Sequence, residues 1–511
     1  MRRVGIVFGV SVFVACGGSS SDPGTGGGGR EPRPVIEGCP VAPPAEAEWG
    51  ISDKCGLFVS SSKGTATGDG SSVFPFASLQ KAIDAAKVNG KRVYACAQSY
   101  REQITLAEDV EIYGYFDCSA PTWKTGPAKA VIDGPSSPAV KATGIHNARV
   151  DGFEIRSPDA TTPSGSSIAV VAISSPGVKI YNSKIRAGAG AKGADGVEGL
   201  QLVPDAGLNG SPPLFEVSCK EGACSANRIG PLGGHMGFCS GRSEYPIQPG
   251  GWGGIGGIYT ADSAGRWVEN APPEPGAPQG PVAQYDVALG AGVNGSPPPA
   301  IARSGATGVD GRSGDGIGGF SEIGEYVPSN GLKGTDGRPG QGGGGGGAHA
   351  PFRQAREENE QLVTSTGGGG GAGGCPGVAG TPGGGGGASV ALVAVQSPIQ
   401  IFASTIETVG GGGGGKGTNG SAPTPGGEAG GLPNYPSLSG AHGGAGGRAG
   451  VSGSGGGGPS IGIAFKAGAP ILTTTDARPG PGGAGVPELR VDGRGTVPAS
   501  AQGVSVPTRE F

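Results

Sequence analysis

The side chains best suited to acid–base chemistry in this chain are two carboxylates and one imidazole, at Asp133, His146 and Asp151. General acid–base cleavage needs two such groups facing each other across the bond that breaks. If Asp133 and Asp151 lay one structural repeat apart, they would occupy neighbouring positions on one face. Each aspartate, however, precedes a glycine at the end of an apolar run, and Asp-Gly is an ordinary turn sequence. We therefore favour the turn interpretation and assign no catalytic residue.

Metal and cofactor chemistry finds little support in the sequence. Two similar K-G-x-D-G stretches, Lys192–Gly196 and Lys333–Gly337, leave calcium as an alternative to plain turns, and we favour turns. No Gly-Lys-Ser/Thr sequence closes a glycine-rich stretch, so a phosphate-binding loop is not expected. No CxxC occurs, and the histidines are scattered without ligand spacing, at His146, His235, His349 and His442. We expect neither a metal nor a cofactor.

The N-terminus carries the most specific short signal. A basic Met1-Arg2-Arg3 precedes a 12-residue apolar run that is too short to span a bilayer and is typical of a signal peptide. The run ends in Phe-Val-Ala-Cys, which resembles the lipobox of bacterial lipoproteins with Phe13 where Leu is usual. That resemblance implies a lipid on Cys16, and Gly17 after it implies the outer membrane or cell surface. The alternative is an ordinary signal peptide cut near Ala15.

The other eight cysteines are an even number in a chain predicted to be exported, which indicates disulfides. We favour two local pairs, Cys39–Cys55 and Cys96–Cys118. The pairing of the remaining four stays open; they are Cys219, Cys224, Cys239 and Cys375.

Composition limits both the fold and the partners. Of 511 residues, 112 are Gly and 45 are Pro, while 35% are hydrophobic and 5% aromatic. One compact core cannot use all of such a chain, so we expect ordered parts separated by glycine-dominated parts. The formal net charge is −4 without a basic stripe, so nucleic acid is not an expected partner.

A repeated segment predicts the architecture. Ser167–Ile185 returns in altered form at Ser389–Ile406 and Ser460–Asp476, each time as a serine, a β-branched run, a Pro or Gly break and a second apolar run. Units too small to bury their own apolar face stack on their copies. Earlier strand-like runs recur at fairly regular intervals, marked by Val93, Ile112, Val131, Phe153 and Ile180. We therefore predict a solenoid of parallel strands, with about 20 residues per turn.

One helix is expected in this all-β chain. Phe76, Leu79, Ile83 and Ala86 share a face at helical spacing, between Pro75 and Asn89-Gly90. The passage from GLFVSSS through FPFASLQKAIDAA to VEIYGYFDC resembles the start of right-handed parallel β-helix proteins of the pectin-lyase-like superfamily. The resemblance implies that the helix plugs the first coil. Enzymes of that superfamily use dense acidic clusters, and this chain lacks such motifs.

The glycine-rich stretches allow two interpretations. Their runs of Gly at every third position are about four triplets long and poor in Pro, so they are not collagen. They are either flexible, because Gly loses most entropy on ordering, or bundled three-residue-per-turn glycine helices. Leu214–Leu289 is either a disulfide-clipped lobe or a decorated loop. The expected organisation is a signal peptide (1–15), a tether (16–48), N-terminal coils with the capping helix (49–187), a glycine-rich insertion with the Cys-containing lobe (188–388) and C-terminal coils interrupted by a glycine-rich loop (389–511).

Three functional hypotheses follow. The favoured one is a non-enzymatic lipoprotein, anchored to a membrane, that acts as scaffold, adhesin or binder of a polysaccharide or other envelope polymer. The second is a polysaccharide lyase or glycoside hydrolase on the same fold. The third is self-assembly through the last rung near Ile471.

Overall fold

The computed structural model describes residues 36–119, 122–214, 217–220, 223–226, 231–253, 258–261, 267–271, 302–346, 349–354, 361–433, 438–491 and 495–511, and every structural statement below concerns these residues. The predicted signal peptide, Cys16 and most of the predicted tether lie outside them. A 3-10 turn at Glu48–Gly50 precedes the helix α1, Leu79–Asn89.

Thirteen strands precede the long glycine-rich insertion. They are β1 Gly56–Val59, β2 Arg92–Cys96, β3 Ser99–Tyr100, β4 Ile104–Thr105, β5 Val110–Asp117, β6 Lys124–Thr125, β7 Ala130–Asp133, β8 Val140–Thr143, β9 Ala148–Asp151, β10 Phe153–Arg156, β11 Ser167–Ile173, β12 Val178–Tyr181 and β13 Lys184–Ala187.

The insertion and the C-terminal part hold the other described strands. They are β14 Val217–Lys220, β15 Ala223–Ala226, β16 Gly237–Cys239, β17 Arg242–Ile247, β18 Ile258–Ala261, β19 Trp267–Ala271, β20 Gly319–Phe320, β21 Tyr326–Val327, β22 His349–Gln354, β23 Gln361–Ser365, β24 Ser389–Val395, β25 Gln400–Phe402, β26 Thr405–Thr408, β27 Ser460–Lys466, β28 Ile471–Thr473, β29 Asp476–Arg478, β30 Leu489–Val491, β31 Gly495–Val497 and β32 Ser505–Glu510.

Three parallel sheets dominate the fold. Sheet A has the order β1-β2-β5-β9-β12-β25-β28, with β6 antiparallel on β5. Sheet B has the order β3-β7-β10-β13-β26-β29, and sheet C the order β4-β8-β11-β24-β27-β32. From β3 onward the chain visits B, C and A in rotation and returns one strand further along each sheet. This mostly parallel arrangement is compatible with a β-helix or solenoid-like fold.

The repeated segments are neighbouring layers of these sheets, as the sequence predicts. Ser167 pairs in register with Ser389, and Ser389 with Ser460. Ile180 pairs with Ile401, which pairs with Leu472. Copies that are far apart in the sequence are therefore one strand spacing apart in the fold, which is about 4.8 Å.

Inward-facing aliphatic residues form columns through the stack. Val93, Ile112, Val150, Ile180 and Ile401 follow one another in register in sheet A, and each is at most 1% exposed. β-branched side chains suit this position because they pack well on a pleated surface. Burying each such side chain stabilises the fold by about 1.5–3 kcal/mol.

The bend between sheets A and B repeats with left-handed backbone. Gly152, Asn182, Ala403 and Thr474 occupy successive layers with φ of 74°, 46°, 44° and 46°. The amide of each of the first three donates to a carbonyl of the next layer, at 3.0–3.1 Å. A left-handed conformation costs a non-glycine residue about 1–2 kcal/mol, so Ala403 carries strain that glycine would relieve.

We expect Ala403→Gly to raise the free energy of unfolding by about 1 kcal/mol, because relief of left-handed strain outweighs the entropy that glycine loses. Gly152→Ala should have the opposite sign, since its Cβ would lie 2.3 Å from Tyr115 Cδ1. Urea unfolding of both variants checks the pair. Destabilisation by Ala403→Gly would refute the assignment of strain to this bend.

Helix α1 closes the first layers. Its buried residues Leu79, Ala82, Ile83 and Ala86 belong to the same apolar cluster as Val93. The helix begins three residues after Phe76, because Ser78 is its N-cap and accepts a hydrogen bond from the Lys81 amide. The left-handed Gly90 ends it, as predicted.

The last part of the predicted tether is packed rather than extended in solvent. The Arg92 guanidinium donates to the carbonyls of Val41 and Ala42 at 2.7 and 2.9 Å. Cys39 is joined to Cys55, which directly precedes β1. The anchoring of residues 36–48 by a disulfide and a buried arginine therefore shortens the free tether.

The disulfides in the described residues are Cys39–Cys55, Cys96–Cys118 and Cys239–Cys375. The first two are the local pairs that the sequence favoured. The third ties the hairpin β16–β17 to the glycine-rich segment that ends the insertion. In the antiparallel pair β14–β15 the backbone of Cys219 pairs in register with that of Cys224. That pair extends through β18 and β19 into a four-stranded antiparallel sheet.

The glycine-rich segments form a hydrogen-bonded bundle, which decides between the two interpretations left open by the sequence. Amides at Gly305, Gly308, Gly311 and Gly314 donate at 2.7–2.8 Å to the carbonyls of residues 445, 448, 451 and 454. Amides at Gly371, Gly374 and Gly377 donate in the same way to residues 441, 444 and 447. Hydrogen bonds between segments thus recur at every third residue. This period is expected of glycine helices with three residues per turn.

We call these segments arms. The described arms span residues 188–214, 302–315, 328–346, 366–388, 409–433, 438–459, 479–488 and 498–504. Three arms follow a strand of sheet B, and three others precede a strand of sheet C. The arms 302–315 and 328–346 lie between other parts of the insertion. These insertions therefore lie at one corner of the stack.

The arms continue the layering of the sheets. Lys184 in β13 pairs with Thr405 in the next layer, and the Gly190 amide donates to the Gly410 carbonyl, with nearly the same offset along the chain. One layer further on, Thr405 pairs with Asp476 and the Gly411 amide donates to the Pro481 carbonyl, again with closely matching offsets. Each glycine-rich arm is thus an elongated part of its own layer.

Candidate functional site

The structure places the two candidate aspartates in different sheets. Asp133 ends β7 in sheet B, whereas Asp151 ends β9 in sheet A. The alternative of neighbouring carboxylates on one face does not hold, because Gly152 alone turns the chain from sheet A into sheet B. His146 lies in the β8–β9 connection, with Nδ1 3.7 Å from a carboxylate oxygen of Glu108. No two of the three candidates are partners of each other.

Each aspartate is engaged by basic or amide groups of its own surroundings. The Asp151 carboxylate, 1% exposed, accepts hydrogen bonds from Arg149 at 2.7 and 3.2 Å and from the Asn182 amide at 3.2 Å. Asp133 lies 3.7 Å from Arg101 and pairs in register with Arg156. These carboxylates hold neighbouring layers together.

The outer face of sheet C is covered in its middle layers, β11, β24 and β27. Val390, Val393 and Val395 point away from the main core, and each is at most 3% exposed. They form a second apolar cluster with the hairpin β20–β21, through Phe320 and Tyr326. This hairpin is part of the glycine-rich insertion, so the insertion shields the middle layers of sheet C, whereas Lys141 and Thr143 in β8 stay exposed.

Sheets A and B keep their outer faces accessible in the later layers. On sheet A the outward side chains include Lys179, Tyr181, Gln400 and Phe402, all half-buried. On sheet B, Arg156, Arg186 and Arg478 are exposed. The two faces meet at the bend that contains Asn182 and form one continuous surface, which we call the A/B face.

A column of aromatic rings with guanidinium groups between and beside them runs along sheet A. The Arg149 guanidinium lies 3.9 Å from the ring centre of Tyr181 and 5.6 Å from that of Tyr113. Tyr181 stacks on Phe402 with ring centres 4.7 Å apart and planes inclined by 8°. Burial, with the Glu111 carboxylate beside it, raises the pKa of Tyr113, so this hydroxyl stays protonated in the column. The column stiffens the face, since each flat group supports the next.

Charged rows cover sheet B. Glu154 binds Arg156 at 2.9 Å, and Lys184 binds Glu407 across one layer at 2.9 Å. Although burial alone would raise it, the pKa of Glu154 is lowered by Arg156, Lys184 and Arg186. Six basic and four acidic side chains lie on or beside this sheet: Arg101, Lys129, Arg156, Lys184, Arg186 and Arg478, against Asp133, Glu154, Glu407 and Asp476.

A groove of about 290 Å³ opens where the two faces meet. Lys129 brings an ammonium to it, and partial burial lowers the pKa of that group. An anion in the groove would restore the electrostatic stabilisation that Lys129 loses on burial. The groove is lined by Ala45, Tyr115, Thr125, Gly126, Pro127, Lys129, Gly152 and Asn182.

The two K-G-x-D-G stretches join arms of the bundle. Asp195 accepts the Lys416 amide at 2.8 Å, and Asp336 accepts the Ala379 amide at 2.7 Å. Neither stretch contains a turn, so the preference for turns is wrong. Each carboxylate instead fixes the register of two neighbouring arms. It accepts a hydrogen bond from a backbone amide of the other arm that donates to no backbone carbonyl among the described residues. Within the described ranges no three His, Cys, Asp or Glu side chains come together as metal ligands would.

Comparison with known proteins gives no assignment: no family model, curated protein or solved structure matches this chain. In the part of the chain that the structure covers, no helix has the length and apolar character needed to cross a membrane.

Sequence reasoning missed most residues of the A/B face. Arg149, Lys129 and Asn182 carry no motif, and only the fold brings them together. Tyr181 and Phe402 did carry a signal, because aligning VKIYNSKI with IQIFASTI places both aromatics at one repeat position. Residues at matching positions of stacked repeats are neighbours, so a repeat alignment can reveal such columns.

Proposed function

We propose that this protein is a non-enzymatic, lipid-anchored surface protein that binds an extended anionic polymer, such as an envelope polysaccharide, along its A/B face. The stack would be a right-handed parallel β-helix similar to those of the pectin-lyase-like superfamily. The glycine-rich bundle would act as a rigid lateral scaffold.

The observation that carries the proposal is the contrast between the outer faces. In its middle layers (β11, β24 and β27) the face of sheet C is sealed by apolar packing. The A/B face presents polar, charged and aromatic groups instead, over the six layers of sheet B and the later layers of sheet A. Six strands of sheet B extend about 24 Å at about 4.7–4.9 Å per layer. A surface that repeats along one axis suits a ligand that also repeats along one axis.

The polymer class follows from charge. The rows beside sheet B hold more basic than acidic groups, although the whole chain has a net charge of −4. Arg186 is exposed and forms no salt bridge within the described part of the chain, and Lys129 lies partly desolvated in the groove. Both cations would gain by binding carboxylate, sulfate or phosphate groups.

The surface location rests on the N-terminal sequence and on the disulfides. A lipid on Cys16 would hold the chain at the outer membrane or cell surface. Disulfides persist in exported proteins because that environment is oxidising, and three occur in the described residues.

Incubation of the purified protein with acidic and neutral polysaccharides, with and without calcium, tests the proposal. We expect retention of an acidic polymer without cleavage products. Products that appear over time would instead establish a lyase or hydrolase, and no retention of any polymer would remove polymer binding.

A matched pair of variants locates the binding face. Lys129→Gln with Arg186→Gln should weaken polymer affinity by about tenfold or more, because each charge-assisted hydrogen bond contributes about 1.5–3 kcal/mol. The control is Arg312→Gln with Lys333→Gln, which removes the same charge from the bundle. Equal losses in both variants would indicate nonspecific attraction and contradict a site on the A/B face.

A further inference from the structure

The N-terminal end of the stack carries exposed apolar side chains that no element of the described structure covers. Val73 and Phe74 are 72% and 65% exposed, and Val88 at the end of α1 is 84% exposed. Phe74 is an unusual residue to leave in water, because burying a phenylalanine side chain stabilises a complex more than burying most other side chains does.

Backbone pairing places these residues at the terminal surface. β1 is the first strand of sheet A, and Val59 within it bridges Phe76 on the side away from β2. The Phe58 amide donates to the Gly70 carbonyl, and the Phe76 amide donates to the Phe58 carbonyl. The loop that carries Val73 and Phe74 therefore lies beyond the first strand. Helix α1 closes the core at the same end, with its buried face turned to Val93.

The chain outside the structure arrives at this same end. Residue 36 is the first described residue, and Cys39 is tied to Cys55 just before β1. The segment between Cys16 and residue 36 is rich in Gly, Ser and Pro. Gly/Ser-rich linkers of about 20 residues have end-to-end distances of roughly 25 Å, which is shorter than many protein domains are wide.

We propose that this end rests on the lipid surface, with Val73 and Phe74 inserted at the boundary between headgroups and acyl chains. The inference depends on the proposed lipid at Cys16, which would hold the end within reach of the bilayer. Lys87 on the exposed face of α1 lies beside Val88 and would face the headgroups. The stack and its A/B face would then point away from the membrane, towards the polymer.

The test uses the full-length, lipidated protein in vesicles of phosphatidylethanolamine and phosphatidylglycerol that carry brominated acyl chains. Phe74→Trp adds a fluorescent probe at the proposed contact, and Val309→Trp adds one at a 70% exposed position on the bundle. The wild-type protein supplies the background of its four native tryptophans. Both replaced side chains are exposed, so equal melting temperatures should confirm that the variants fold.

We expect the added emission of Phe74→Trp to fall roughly twofold in brominated vesicles, since inserted side chains lie about 5–10 Å into the boundary. Emission of Val309→Trp should not change. Equal quenching of both probes, or quenching of neither, overturns the proposed orientation.

A Cys16→Ser variant separates this inference from the anchor. If the wild-type protein sediments with vesicles and Cys16→Ser does not, the anchor holds, and the Phe74→Trp result alone decides the orientation. If both remain in solution or both sediment alike, the proposed anchor at Cys16 is wrong. If both sediment alike, selective quenching of Phe74→Trp would still support contact through this end, whereas a protein that stays in solution would overturn it.

Discussion

Gly412→Ala should destabilise the glycine-rich bundle by about 3 kcal/mol, whereas Gly413→Ala, one residue further on, should be neutral or slightly stabilising. The two glycines belong to one uninterrupted run, Gly410–Gly415, and composition does not distinguish them. The difference comes from what surrounds each position in the bundle.

A Cβ on Gly412 would lie 2.0 Å from the carbonyl oxygen of Ala191 in a neighbouring arm. Backbone cannot rotate away as a side chain does, so the arms would have to separate. On Gly413 the nearest atom would be the Ala484 carbonyl oxygen, at 3.5 Å, which is ordinary contact. There the lower entropy of alanine in the unfolded chain favours folding by about 0.5 kcal/mol.

Urea unfolding and amide hydrogen exchange of the two variants measure this difference. Gly415→Ala should behave as Gly412→Ala does, because its Cβ would lie 2.0 Å from the Ala194 carbonyl oxygen, three positions along the neighbouring arm. Similar stabilities for all three variants would mean that the arms are not packed at a three-residue period. The bundle, and with it the rigid scaffold of the proposed function, would then be wrong.

The layered sheets could be predicted from the sequence because their signal is repeated. A serine followed by a β-branched run recurs at Ser167, Ser389 and Ser460, and these residues are neighbours in the structure. Each layer repeats the physical problem of the one below, so similar residues recur at similar positions. The helix face of Leu79, Ile83 and Ala86 was equally clear, because helical periodicity is local.

The sequence could not show whether the glycine-rich segments are flexible or packed as a bundle, because glycine is common in both flexible and close-packed backbone. What distinguishes them is whether a Cβ would have space, and that depends on arms far apart in the chain. The charges in the bundle gave a misleading signal for the same reason. Asp195 and Asp336 sit in motifs typical of turns, yet each accepts an amide from an arm that sequence proximity does not indicate.

The candidate site was only partly predictable. Asp151 was singled out as an acid–base candidate, and it does lie on the A/B face, but it is paired with Arg149 and Asn182. Its separation from Asp133 depends on the single left-handed residue Gly152. One such residue changes which sheet the following side chains belong to, and alternation patterns cannot show which sheet that is.

Loss of the Cys239–Cys375 disulfide should have the second large effect. Both cysteines are fully buried, in a cluster with Leu202, Ile247 and Ala372 that joins the hairpin β16–β17 to the bundle. The bond closes 136 residues of chain, and the unfolded state would regain about 4–5 kcal/mol of entropy without it.

We therefore expect the double variant Cys239→Ala with Cys375→Ala to lower the free energy of unfolding by about 4–5 kcal/mol. The control is Cys39→Ala with Cys55→Ala, which should lower it by about 3 kcal/mol because that disulfide closes a loop of only 16 residues. The location of the effect is the sharper criterion. Amide hydrogen exchange should become faster in the arms around residues 366–388, where the Cys375 amide donates to the Thr424 hydroxyl. The amides of Ile180 and Ile401, at the centre of the stack, should keep their protection. Uniform loss of protection would show that bundle and sheets unfold as one unit, whereas selective loss would show that the bundle is a separate unit supported by the stack.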